Sequence, residues 1–174
     1  ALGARHPLPT RRVATAVSGR AAIVKSIWMN RVDDDAFAQA VQWEAEQHIP
    51  FDLNEVYLDY QILREDEEGR RIQVLIVAAK REGVDTLAAL VSEAGFYPAI
   101  VDVDAFAAQN AVLATAPSPA GGAEAVLDIG AEFTNVIVAE ERTPLLTSSA
   151  AFGTTRLVDA ALKKFPASAE EIRS

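Results

Sequence analysis

The sequence contains no cysteine, and it has one methionine and two histidines among its 174 residues. The absence of cysteine excludes a disulfide framework and cysteine-ligated zinc, and it is typical of proteins from a reducing compartment. His6 and His48 are the only candidates for the base of a nucleophilic triad, and no serine stands in a strand-turn-helix elbow. We therefore predict no catalytic residue in this chain.

Basic side chains are also few, since 16 Lys and Arg stand against 25 Asp and Glu, with a formal net charge of −9. Nucleic acids and anionic lipids are held by clustered basic residues, so this composition argues against both as direct partners. No apolar run reaches the ~20 residues of a transmembrane helix. The N-terminal stretch lacks the apolar segment of a signal peptide. We expect a soluble, cytoplasmic protein.

Two short acidic clusters could supply metal ligands, but both stand where a helix is predicted to begin. Asp102 and Asp104 precede one helical pattern, and residues 33–35 precede another. A carboxylate at such a position accepts hydrogen bonds from free backbone N–H groups and lies at the positive end of the helix dipole. We therefore predict no metal site.

The hydrophobic period changes along residues 22–103 in the order β-α-β-β-α-β. This order predicts an α/β (α+β) unit, a split βαβ layer with helices on one face of a sheet. The first helix is predicted to start in the acidic run at residues 33–35 and to stop at Pro50. The strand at residues 73–80 is apolar on both faces. Its second face is therefore either covered by another layer or receives a partner.

The stretch from Ala125 to Val138 consists of two apolar strands joined by a short turn, and it is the best candidate for a ligand site. Gly130 permits a tight turn whose backbone N–H groups face an anion. Asp128 could hold a hydrated Mg²⁺, and Thr134 could hydrogen-bond a phosphate oxygen. A plain hairpin with a capping aspartate explains the same pattern equally well, so the residues alone leave both alternatives open.

A family resemblance adds to this reading. The chain resembles the PilM family of type IV pilus assembly proteins, which is similar to FtsA and belongs to the actin-like ATPase superfamily. The resemblance covers nearly the whole chain and is carried by "VQWEAEQHIPFDLNEVYLDYQIL", "IQVLIVAAKREGVDTLAALVSEAGFYPAIVDVDAFAAQNAV" and "VLDIGAEFTNVIVAEERTPLLTSSAAFG". It implies the end of subdomain 1A at residues 1–21, an inserted FtsA 1C-like subdomain at 22–103, a return helix and linker at 104–123, and the start of subdomain IIA, with its β-hairpin and helix, at 124–174.

The resemblance also implies half of an ATP site. Asp128, Gly130 and Thr134 match the second phosphate loop of that superfamily, whereas the first loop and the adenosine pocket match nothing in this sequence. We therefore expect ATP and Mg²⁺ to bind a longer parent protein and not this chain alone. Two positions depart from the family pattern: Glu132 brings a negative charge into the turn, and Thr154 replaces the second glycine of an "FGG" motif.

The function implied by the resemblance is that of a scaffold at the inner face of the inner membrane, with at most weak ATPase activity in the parent. Its implied partners are the cytoplasmic N-terminal peptide of PilN and other pilus assembly proteins. Aromatic anchors beside carboxylates suit an apolar peptide with basic residues, so the predicted peptide-binding residues are Trp43, Glu44, Glu46, Ile49, Pro50 and Phe51. Trp43 and Phe51 could instead merely close the subdomain core. The alternative functions are an actin-like ATPase or kinase-type enzyme and an FtsA-like division protein.

Overall fold

The structure is a computed structural model that describes residues 9–18, 21–115, 122–140 and 143–165. The strands are β1 (Arg12–Val17), β2 (Ala22–Asn30), β3 (Val56–Glu65), β4 (Arg71–Lys80), β5 (Tyr97–Val103), β6 (Ala123–Ile129), β7 (Thr134–Glu140) and β8 (Thr143–Ala150). The α-helices are α1 (Asp34–His48), α2 (Arg81–Glu93), α3 (Asp104–Thr115) and α4 (Thr154–Lys164). The predicted fold class and element order are confirmed. The chain forms two compact units, with the boundary after Ala107.

The core of the first unit lies between α1 and an antiparallel sheet of order β2-β4-β3. Val41 and Ala45 of α1 pack with Ile49, just beyond the helix, onto Val74 and Ile76 of β4. These five side chains are at most 4% exposed, and each contributes about 1.5–3 kcal/mol by leaving water, somewhat less for alanine. The face of α1 that carries Val41 and Ala45 is therefore its buried face.

The fourth strand of the predicted layer is not part of that sheet. β5 pairs in parallel with β1 and forms a separate two-stranded sheet. Parallel strands need a crossover connection, and α2, which contacts β1, β4 and β5, lies directly before β5. The turn into β5 uses Gly95 at φ 86°, and the Phe96 N–H donates to the Val91 carbonyl at 3.1 Å. The second face of the three-stranded sheet is therefore left without a layer of its own.

The second unit contains an antiparallel sheet of order β6-β7-β8 followed by α4. Its central strand β7 supplies the buried side chains Ile137 and Ala139. Of the return helix and linker expected at residues 104–123, residues 116–121 lie outside the described residues. Within the part of the chain that the structure describes, no helix is long and apolar enough to cross a membrane.

Candidate functional site

The second face of the β2-β4-β3 sheet opens onto a groove of about 660 Å³ in the first unit. One wall consists of Leu75, Val77 and Ala79 from β4, and the opposite wall includes Val101 of β5 and Phe106 of α3. Leu75 is buried, whereas Val77 and Ala79 are half-buried. The second face of β4 is therefore partly covered, and the groove leaves Val77 and Ala79 partly accessible. Docking of a partner on this face stays a prediction.

The charged groups of the groove are acidic, and its other polar lining residues are Tyr57, Tyr60 and Gln61. Asp59 of β3 and Asp102 of β5 both line it, and none of its lining residues is Lys or Arg within the described ranges. Each carboxylate accepts one backbone hydrogen bond at 2.8 Å, from the N–H of Tyr60 and of Val103 respectively. Each therefore keeps further acceptor capacity. A largely apolar groove whose carboxylates keep acceptor capacity is complementary to a segment that carries both apolar and basic side chains.

None of the peptide-binding residues predicted between Trp43 and Phe51 lines this groove. Glu46 and Phe51 line a second cavity of about 680 Å³, which shares Tyr57 and Leu58 with the groove. Ile49 is 4% exposed and packs in the core between α1 and the sheet, and its role in docking stays a prediction. Trp43 is 63% exposed, and the Phe51 ring lies 4.5 Å from Nζ of Lys80. For Trp43, Glu44, Glu46, Pro50 and Phe51, partner binding stays a prediction.

A set of contacts that sequence reasoning missed holds the start of α2 against β3. The Arg81 guanidinium lies 4.3 Å from the Tyr57 ring centre, and its Nε donates to the Asn54 carbonyl at 3.0 Å. The Tyr57 hydroxyl donates to Oδ1 of Asp85 at 2.9 Å. Because Tyr57 also lines the groove, these contacts fix one of its walls. Their partners lie too far apart in sequence for any local pattern to reveal them.

The structure brings the three predicted phosphate-loop residues together at the β6-β7 hairpin. The Gly130 N–H donates to the Phe133 carbonyl at 2.9 Å and closes the turn. Oδ2 of Asp128 accepts from the side-chain amide of Asn135 at 3.1 Å. Gly130 does not have a positive φ, so backbone conformation is not the reason that this position needs glycine. A Cβ at this position would lie 3.0 Å from the Phe133 oxygen, and glycine is favoured by close approach.

The turn is clasped by the N-terminus of α4. The backbone N–H groups of Thr154 and Thr155 donate to the carbonyls of Gly130 and Ala131 at 3.0 and 2.9 Å. A Cβ on Gly153 would lie 2.7 Å from the Glu132 nitrogen and closer still to the Ala131 carbonyl. Gly153 is therefore part of the site. Its signal in the sequence was the "FG" pair that follows β8.

The turn fits a phosphate through its backbone more than through its side chains. The N–H groups of Ala131 and Glu132 donate to no backbone carbonyl among the described residues, and both residues are exposed. By contrast, Oγ1 of Thr134 already donates to the Phe152 carbonyl at 2.7 Å. Thr134 thus helps to hold the loop, and its hydroxyl proton is not free for a phosphate oxygen. Asp128 is oriented by Asn135 and could accept from water molecules bound to Mg²⁺. Across the described ranges, no group of three or more His, Asp or Glu residues is arranged to bind a metal directly.

Comparison with known proteins gives consistent results. The family described as "Type IV pilus assembly protein PilM" matches residues 2–173. The structure of a PilM-PilN type IV pilus biogenesis complex is similar over 98% of this chain, at 32% sequence identity and a TM-score of 0.83. The match covers 52% of that protein, so this chain spans about half its length. The cytoplasmic domain of EpsL, an inner-membrane component of the Vibrio cholerae type II secretion system, matches 86% of this chain and 54% of its own. Its 17% identity and TM-score of 0.54 show a shared fold.

Proposed function

Because this chain belongs to the type IV pilus assembly protein PilM family and shares its actin-like fold, we propose that it serves as a scaffold of the pilus assembly machinery. In this proposal the groove of the first unit holds a cytoplasmic segment of an inner-membrane partner of the PilN type. That partner would bring the protein to the inner face of the membrane. The observation that supports this proposal most directly is the groove itself, whose walls are largely apolar and whose charged groups are acidic.

The groove's dimensions and chemistry support this role. Its volume of about 660 Å³ lies within the range of about 300–1,000 Å³ that binding pockets occupy. Apolar side chains of a segment would pack between Val77 of β4 and Val101 of β5. Basic side chains of the same segment would face Asp59 and Asp102. Apolar anchors supply most of the affinity in such an interface, and the charges supply register and specificity.

Two consecutive residues of β5 provide a matched test. Val101 lines the groove, whereas its neighbour Ile100 is 60% exposed and does not. We expect Val101→Glu to weaken binding of a fluorescein-labelled PilN cytoplasmic peptide from the same organism by more than tenfold, because a carboxylate would be desolvated against the peptide. Ile100→Glu should leave the affinity unchanged. Fluorescence anisotropy measures both, and circular dichroism establishes that each variant is folded.

Equal affinities for the two β5 variants would place the partner outside the groove. In that case Glu44→Gln and Glu46→Gln test the corner around Trp43 in the same assay. Both glutamates lie on α1 outside the core, so their substitution should not affect folding. A loss of affinity and of salt dependence in these variants would assign the partner to that corner.

ATP with Mg²⁺ is proposed as a conformational ligand of the longer protein. The turn at residues 130–133 would contact one phosphate through the N–H groups of Ala131 and Glu132, and Asp128 would orient water around the metal. One turn supplies few of the charge-assisted hydrogen bonds that nucleotide binding requires, each about 1.5–3 kcal/mol. We therefore expect calorimetric titration of this chain alone with Mg-ATP to show no micromolar binding. A micromolar dissociation constant would mean that this chain contains a complete site.

A further inference from the structure

At the far end of the same sheet face, two arginines flank an exposed tryptophan. The guanidinium carbons of Arg64 and Arg71 lie 5.7 and 5.8 Å from the ring centre of Trp28. Trp28 is 38% exposed, and both arginines are exposed. We call these three residues the distal cluster. An Arg–Trp–Arg arrangement of this kind presents two planar donor groups beside an apolar surface.

Hydrogen bonds from the sheet fix the position of Arg64 in the distal cluster. Nε of Arg64 donates to Oε1 of Gln73 at 2.6 Å, and Nε2 of Gln73 donates to Oγ of Ser26 at 2.7 Å. Gln73 itself is 8% exposed. A register shift between Ile62 and Arg64 places Arg64 opposite Gln73, on the face that also lines the groove. The position of the guanidinium is therefore set before any ligand arrives, which lowers the entropy cost of binding.

The two arginines have no carboxylate partner among the described residues. Neighbouring arginines do: Arg31 pairs with Glu65 at 2.7 Å, and Arg70 pairs with Glu68 at 3.1 Å. The described ion pairs leave out Arg64 and Arg71, although acidic residues outnumber basic ones in this chain. Arg64 donates one hydrogen bond to Gln73, and Nη2 of Arg71 lies 3.5 Å from the Trp28 carbonyl, so most N–H donors of the two guanidiniums stay available to an external carboxylate.

The distal cluster and the acidic end of the groove lie along one strand direction. On the second face, Asp59 stands opposite Val77 of β4, and Arg64 stands opposite Gln73. Gln73 and Val77 are four residues apart, which corresponds to about 13 Å at about 3.3 Å per residue. Leu75 lies between them on the same face. The face thus runs from carboxylates, over apolar side chains, to guanidiniums within the length of a short extended peptide.

We propose that the distal cluster binds a carboxylate side chain of the segment whose apolar and basic residues occupy the groove. The partner segment is then dipolar, with a basic residue near Asp59 and an acidic residue about four positions away along an extended chain. This inference rests on the proposed function and adds the charge pattern of the partner. Anionic lipid is the competing source of negative charge, and the net charge of −9 disfavours it.

The experiment is a charge scan of the partner peptide against the intact protein. Each position of the fluorescein-labelled PilN cytoplasmic peptide is replaced in turn by Glu, Gln and Lys. At one position we expect Glu to bind about fivefold more tightly than Gln, the size of an exposed but well-ordered ion pair. Arg71→Gln and Arg64→Gln should each abolish that preference. The control Arg70→Gln removes the same charge from a residue that already has a partner, and should keep the preference.

Each outcome decides the proposal. It is overturned if no position prefers Glu, if the preference survives in either Arg64→Gln or Arg71→Gln, or if Arg70→Gln abolishes it equally. Loss of all peptide binding in Val101→Glu together with loss of only the Glu preference in Arg71→Gln supports both the groove and the distal cluster. If the wild-type protein binds none of the peptides, the proposed function fails and the inference fails with it. Sedimentation of wild-type protein, but not of Arg71→Gln, with phosphatidylserine vesicles would assign the cluster to lipid instead.

Discussion

Replacing Gly153 by alanine should destabilise the second unit through a single steric contact. The backbone at Gly153 is extended, with φ −156° and ψ −177°, so alanine meets no conformational strain there. Its Cβ, however, would lie 2.7 Å from the Glu132 nitrogen and closer to the Ala131 carbonyl, both of them backbone atoms that cannot rotate away. The α4 N-terminus or the hairpin turn must therefore move.

The magnitude follows from what that movement breaks. Overpacking of this kind costs about 1–3 kcal/mol. The hydrogen bonds from the Thr154 and Thr155 N–H groups to the turn contribute about 0.5–1.5 kcal/mol each if they are lost. The expected loss of unfolding free energy is thus about 2–6 kcal/mol, which is a large fraction of the stability of a small unit.

Urea denaturation followed by circular dichroism measures the loss, and amide hydrogen exchange locates it. Exchange at Thr154 and Thr155 should accelerate in Gly153→Ala. The matched control is Gly83→Ala in α2, where an added Cβ meets nothing within 4 Å and should stabilise the helix by about 0.5–1 kcal/mol. An unchanged urea midpoint and unchanged exchange in Gly153→Ala would refute the reasoning. The space beside the Ala131 and Glu132 backbone would then be large enough for the added Cβ.

Two further substitutions test the first unit. Phe37→Ala removes a ring that contacts the Tyr60 ring edge-on, at 5.3 Å between ring centres, and packs on the core. The unfolding free energy should fall by about 3–5 kcal/mol. An unchanged melting temperature would place Phe37 outside the core. Gly95→Ala introduces a side chain at φ 86°, which should cost about 1–2 kcal/mol by calorimetry, although the added Cβ meets no atom within 4 Å. A stabilised Gly95→Ala variant would contradict the left-handed turn between α2 and β5.

Local chemistry made the order of elements predictable. The apolar stripe of α1, its stop at Pro50 and the glycine that ends α2 each depend on residues within a few positions of one another, so the amino-acid sequence reports them directly. The two apolar faces of β4 were equally visible, since side chains alternate along any strand. Family motifs then identified the hairpin residues Asp128, Gly130 and Thr134 as a group, and the structure places them together.

Tertiary packing decided which surfaces remain for a partner. β5 pairs with β1 and not with the sheet of β2, β3 and β4, a choice between long-range pairings that no local pattern contains. Ile49 is apolar, as a docking residue would be, but it is buried in the core because the helix before it covers β4. A one-residue register shift turns Arg64 onto the groove face. Side-chain direction has period two, so a single inserted residue reverses it.

By itself, then, the amino-acid sequence determined the helices, the strands, their order and the family. It also determined the composition of the hairpin with Asp128, Gly130 and Thr134, because these properties arise from neighbours along the chain. The groove, the distal cluster and the close approach of Gly153 to the hairpin arise from residues that are distant in sequence. Only the folded chain decides them, because each depends on which of several apolar faces pack together and in which register.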